Sequence, residues 1–317
     1  MYEGSFSWPH NAQVAVVLSV AWETPDDDYG SNESREGSDR RPLPKDALYQ
    51  RDTWAVLERR FAELGGLQRV LSVFDRNDVK ASFYVNGMTV ETFPELARQV
   101  NDAGHDIASQ SYTHGSSIMF GPEDEHRRLR QTAQLFESVL GKRPKGYAPS
   151  GGRHTPATLS ILAAEGYIWS GSYRNVDLPY VTYIDDTPIV CMNNYMLNDR
   201  DSYTGVKSSA RALLDSMRDE VDFLALEGAR GYPKMTSFGV HPFLCRAFRM
   251  KPYEEFIQYL KEKEGVWIAT RTEIAQHVLT NFPDMTLSRL YPNSLPALSL
   301  YGFEEISHRC LLDGGDK

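Results

Sequence analysis

The sequence predicts an α/β domain whose mainly parallel strands curl into a distorted (β/α) barrel. Three observations lead there. Short β-branched runs alternate with segments of helical period from residue 14 to residue 276, without a break in composition. Residues 14–20 form an apolar run interrupted only by Ser19, suited to a strand covered on both faces as in a parallel sheet. A short apolar run, 238–240, closes a second strand, 235–241, at His241 followed by Pro242, which places an imidazole where a buried strand meets a loop. Parallel α/β folds gather their functional groups at such strand ends.

Taken in order, 14–20 is the first strand, and the polar, aperiodic stretch 24–46 is a loop or lid. Residues 57–74 read as a helix and 80–86 as the second strand. Helix 94–103 has Pro94 in its first turn and Gly104 just past its end, the expected asymmetry. A strand at 106–109 leads to a long helix, 123–140, stopped by Gly141. The strand 145–149 follows, then helix 156–165 between an N-cap at Thr155 and a stop at Gly166. Residues 167–172 return as a strand. The 175–205 stretch is irregular, with 189–192 its strand candidate. Helix 213–226 and the strands 235–241 and 266–269 complete a single barrel domain over 1–282. The extension 283–317 lacks periodicity and is expected to pack on the barrel or on a neighbouring subunit.

A hydrophobic share of 41% and a charged share of 24% belong to a soluble globular chain of 317 residues. The formal net charge of −9, with no basic block, argues against nucleic acid and against anionic membrane surfaces. The N-terminus lacks the features of a signal peptide, and no stretch has the length of a membrane span. Cys191, Cys245 and Cys310 are an odd, widely spaced set, read as reduced thiols of a cytoplasmic protein. The expected partners are a small-molecule substrate and further copies of the chain.

Several segments carry a resemblance. They are Lys80-Ala-Ser-Phe-Tyr-Val-Asn-Gly87, Pro94-Glu-Leu-Ala, Ala103-Gly-His-Asp-Ile-Ala-Ser109, Thr155-Pro-Ala-Thr-Leu, Asn175-Val-Asp-Leu-Pro-Tyr180, Leu197-Asn-Asp199 and the stretch 238–249. In this order, over roughly 14–276, the chain resembles the polysaccharide-deacetylase-like (NodB-homology) superfamily. It is most similar to the branch holding metal-independent allantoinases, cyclic imide hydrolases and some peptidoglycan deacetylases. In metal-using members, the resemblance implies two aspartates after the first strand, one a base and one a metal ligand. A later His-x-x-x-His completes the metal site, where the ion lowers the pKa of bound water and polarises the amide carbonyl.

The chain departs from that apparatus. Ala21 or Trp22 falls where acids would stand, leaving Glu23; Gln110 replaces one histidine of the pair, leaving His114; Ala148 takes the place of an arginine that positions the base, while Arg153 remains. Glutamine is a poor zinc ligand. No cofactor is therefore expected. If a divalent ion such as zinc is held, Glu23 and His114 are its ligands, with Asp26, Asp27 and Asp28 as helpers.

The resulting expectation is a cytoplasmic hydrolase of a non-peptide C–N bond in a small amide, ureide or cyclic imide, with little or no metal dependence. Glu23 is its general base, with its pKa raised by burial beside Trp22, and His241 protonates the leaving nitrogen. Gln110, His114 and Arg153 hold carbonyl oxygens, while Trp22, Tyr112 and Phe243 wall the pocket. Three alternatives stand beside it: a metal-dependent N-deacetylase of amino sugars or polysaccharide, a catalytically inactive small-molecule-binding barrel, and a pocket reused for lyase or C–C bond hydrolysis. His105 reads as structural. His10, His126, His277 and His308 read as surface or capping residues, and His154 fits either class.

Overall fold

The computed structural model describes residues 6–25, 28–32, 43–195, 197–205 and 208–290. Strand β1 (Val14–Trp22) is buried along its whole length and is the centre of the sheet. Its side chains alternate, as a pleat requires. Val14, Val16, Leu18, Val20 and Trp22 enter one core, and Ala15 and Val17 enter another on the opposite face.

Helices α1 (Thr53–Arg59) and α2 (Leu67–Arg76) flank a single π-type turn at Ala62–Gly66. The helix expected at 57–74 is thus two helices, and it starts earlier because the Asp52 carboxylate accepts from Ala55 N as an N-cap. Then come β2 (Ser82–Val85), α3 (Gly87–Thr92), α4 (Pro94–Asp102), β3 (Asp106–Ser109), α5 (Pro122–Leu140), β4 (Gly146–Tyr147), α6 (Thr158–Ala164) and β5 (Trp169–Tyr173). The stretch read as irregular contains a hairpin, β6 (Tyr180–Ile184) with β7 (Thr187–Asn193), and the two-residue β8 (Leu197–Asn198). The chain continues with α7 (Ala210–Ala229), β9 (Lys234–Val240), α8 (Ala247–Glu262), β10 (Val266–Ile268), α9 (Arg271–Asn281) and α10 (Leu287–Leu290).

The sheet order is β6-β7-β5-β4-β3-β2-β1-β9-β8, with β10 also paired to β1. Every ladder is parallel except β6·β7. Parallel register brings the carboxyl ends of β1, β2, β3, β4 and β9 to one rim. Among the described residues the sheet curls without closing through a ladder, since β6 and β8 end it; the Asn193 side chain instead donates to Met235 O across the gap at 3.0 Å. The start of the extension packs inward: Met285, Leu287 and Leu290 are buried, and Val181 N donates to Met285 O.

One glycine sets a close approach beside the rim. A Cβ on Gly66 would lie 1.8 Å from Pro242 O, the residue after His241. Gly66→Ala is therefore expected to destabilise the fold by about 1–3 kcal/mol as an overpacking substitution. It should also lower kcat by moving the 241–242 segment, a pairing that denaturant titration and steady-state kinetics together would check.

Candidate active site

Glu23 follows β1 and falls on the face opposite Trp22, where it is buried among three other elements. Two partners come from the turn after β3. Gln110 N extends the ladder to Val85 O, then Ser111 adopts a left-handed conformation at φ 69°, uncommon outside glycine and asparagine. The amides of Gly87 and Met88, opening α3, hold Ser111 O and Tyr112 O. So reversed, the chain brings both Gln110 and His114 to one oxygen of Glu23. Gln110 Nε2 donates to Glu23 Oε1 at 2.8 Å, and His114 Nε2 lies 2.9 Å from the same atom.

The other oxygen is taken from α1. Arg59 Nη2 lies 3.3 Å from Glu23 Oε2, and both side chains are almost fully buried. The guanidinium carbon stands 4.3 Å from the centre of the Phe243 ring and 5.5 Å from that of Tyr29. Cation–π contact of this kind holds a desolvated guanidinium in place.

The charges of the site act on one another. Burial pushes the Glu23 carboxyl up, but the opposing pull of His114, by charge and hydrogen bond, and of His241 and Arg59 wins. Glu23 is held well below the usual carboxylate range and stays ionised. The expectation that burial would lift it towards neutrality is corrected: desolvation is the largest single influence, yet His114 first, then His241 and Arg59, together exceed it when the imidazoles are protonated.

His241 ends β9 and is buried. Asp199 grips it twice: Oδ2 accepts from His241 N at 2.9 Å, and Oδ1 lies 2.7 Å from Nδ1. An ionised carboxylate only accepts, so the ring proton sits on Nδ1 and the Nε2 lone pair is available. This is a base oriented by a third group, the geometry needed for proton transfer. Tyr195 and Phe243 border the imidazole with ring centres 6.3 and 5.8 Å away.

The structure therefore gathers Glu23, Gln110, His114 and Phe243 around one point, with His241 near enough to act on the Glu23 charge. Trp22 does not line this point. The two-residue strand period sends it to the helix-covered face, where Nε1 donates to Glu63 Oε1 at 3.1 Å. Arg153 also stays out of the cluster. It is exposed after the Ser150–Gly152 turn, and among the described residues it forms no hydrogen bond or ion pair. Tyr112 donates its hydroxyl outward to Glu91. His154 stacks on Tyr173 and shares a hydrogen bond with Ser170 Oγ, and burial lowers its pKa to about 4.

Two residues of the cluster carried no assigned role in the sequence. Asp199 lay within a family-like stretch, and an acid just past the Leu197–Asn198 strand was its only signal. Arg59 had none, because nothing local distinguishes it from its neighbour Arg60.

The donor set does not suit a divalent ion. Among the described residues no group of three or more His, Cys, Asp or Glu side chains could hold one. Glu23 and His114 are bonded to each other, and a guanidinium already sits on the carboxylate, where it would repel a dication. Asp28 is exposed, and Asp26 and Asp27 lie outside the described residues.

Comparisons with known proteins agree with this geometry. Residues 65–168 match the family model for polysaccharide deacetylase. The chain is similar to a peptidoglycan deacetylase of Helicobacter pylori, 23% identical over 70% of this chain and 87% of the relative. Among solved structures it is similar to a "probable Polysaccharide deacetylase from Pseudomonas aeruginosa PAO1", with a TM-score of 0.76, 26% identity, and coverage of 87% of this chain and 94% of the other. It shares the fold of an allantoinase, with a TM-score of 0.75, 24% identity, and coverage of 87% and 93%. With the parallel, curled sheet and its rim of motif residues, these matches show a polysaccharide-deacetylase-type domain in this chain, with the family model itself matching residues 65–168.

Proposed function

We propose that this protein hydrolyses a non-peptide C–N bond, removing an acyl group from an amide nitrogen. The relatives favour N-deacetylation of an amino sugar over the small free amide expected from the sequence. The observation that carries the proposal is His241, locked by Asp199 with Nε2 available, beside an ionised Glu23 in a buried cluster. His241 Nε2 takes a proton from water as its oxygen bonds to the acyl carbon. It then returns that proton to the nitrogen as the C–N bond breaks, releasing carboxylic acid and amine.

Glu23 serves differently from the expected base. Both its oxygens are engaged and its proton affinity is low, so it is a weak acceptor in this state. Its fixed negative charge stabilises the imidazolium formed at His241 and orients His114, which can donate to a developing oxyanion. No step is routed through a metal, because the donors present do not fit one.

The test is acetate release from N-acetylated oligosaccharide and peptidoglycan fragments, before and after exhaustive chelation. Turnover should survive chelation, and Glu23→Gln should lower kcat by about 10²–10³-fold, the size of effect seen when one fixed electrostatic group is lost. Activity that disappears on chelation and returns with zinc or manganese would establish the metal-dependent deacetylase reading instead.

A further inference from the structure

Gln110 has a fixed orientation and an unanswered half. Glu23 is ionised and only accepts, so the amide nitrogen of Gln110 must face it, as it does at 2.8 Å. The carbonyl end then points away. Gln110 Oε1 is buried and has no hydrogen-bond partner among the described residues, on a side chain that is 3% exposed. A buried, unanswered acceptor is costly, and native structures keep one where something else completes it.

The surroundings decide what that something is. The positively charged side chains nearby, His114 and Arg59, are directed at Glu23 rather than at this oxygen. A cation is not required, since a neutral N–H or O–H donor is enough to complete an amide oxygen.

We propose that Gln110 is a specificity-determining residue whose Oε1 accepts the N–H of the scissile secondary amide. This rests on the reading of the site as an amide hydrolase and deepens it. The substrate class is narrowed to amides carrying a hydrogen on the reacting nitrogen; fully substituted amides leave Oε1 orphaned and place a carbon against it. Recognition by a buried polar group of this kind discriminates strongly, because the wrong ligand leaves the protein's own group unpaired.

The probes are N-methylacetamide and N,N-dimethylacetamide, which differ by that one hydrogen. Their dissociation constants are measured by NMR titration on the full chain, alongside acetate release from each. Wild type should bind the first about tenfold more tightly, and Gln110→Met, similar in volume but without the acceptor, should bind both within about twofold. Equal binding of the two by wild type, or binding of neither, overturns the proposal without any variant being needed. Selectivity that persists in Gln110→Met overturns it as well. A variant that loses kcat while keeping the tenfold preference would show that Oε1 holds the attacking water rather than the amide. Selective binding with no turnover would remove the hydrolase reading and leave the N–H recognition standing.

Discussion

Asp199→Asn is expected to lower kcat by about 10²–10⁴-fold while leaving the fold intact, the range that a positioned acid–base group contributes. The carboxylate accepts two hydrogen bonds from His241, one from the backbone amide and one from Nδ1. Asparagine has one acceptor end and one donor end. If its oxygen keeps the backbone amide, its NH₂ faces Nδ1 and drives the ring proton to Nε2. The imidazole then presents a donor where the mechanism needs a base. Because the ring keeps its place, substrate affinity should change little, so the loss appears in kcat rather than KM, and the pH–rate profile should lose the limb belonging to His241. A kcat within about threefold of wild type would remove the dyad from the mechanism.

Arg59→Met should produce the largest loss of stability of any single change in the site, about 3–5 kcal/mol, because it strips a partner from a buried charge. Glu23 would keep its contacts to Gln110 and His114 but lose the cation on Oε2, together with the contacts of the guanidinium to Phe243 and Tyr29. The double variant Glu23→Gln/Arg59→Met should be more stable than Arg59→Met alone, since a neutral amide needs no guanidinium. Urea unfolding at neutral pH measures both.

The pH dependence follows from the sign of the shift. Glu23 has a folded pKa below its unfolded value, so its contribution is fully present above the ordinary value of 4.5 and is lost as pH falls through the folded pKa. Wild type should therefore weaken below that value, and in Arg59→Met, where the Glu23 pKa is depressed less, the acid-induced loss should be smaller. A Glu23→Gln protein with the same acid sensitivity as wild type would contradict the electrostatic account.

Most of the architecture was legible in the residues. Alternation of apolar runs and helical periods, with glycine and proline stops, located β1, β3, α4, α5 and β9 within a few positions, because buried strands concentrate apolar residues and surface helices repeat them with a helical period. The hairpin of β6 and β7 was only half legible. Only β6 lies at the edge of the sheet, and the polar turn at Asp185 and Asp186 with residues such as Thr182 dilutes the pattern. Helix α3 was hidden because its six residues are too short to show a period, and its first amides are satisfied by Ser111 O and Tyr112 O from a distant turn.

Which strand ends meet at one rim was legible in the residues alone. Glu23, Gln110, His114 and His241 each sit beside a recognisable strand, so their arrival at one rim follows from parallel register. Tertiary structure alone decided their partners and their charge states. Trp22 and Glu23 are adjacent in sequence, yet the pleat sends one to the helix-covered face and the other to the site. Arg59 reaches Glu23 across 36 positions, and Asp199 reaches His241 across 42. The Asp199 contact determines which imidazole nitrogen bears the proton, and Arg59 adds to the pull of His114 and His241 that keeps the buried carboxylate ionised. Such properties depend on distances of a few ångströms between separate elements, where Coulomb energies in a buried site outweigh the intrinsic preference of either residue.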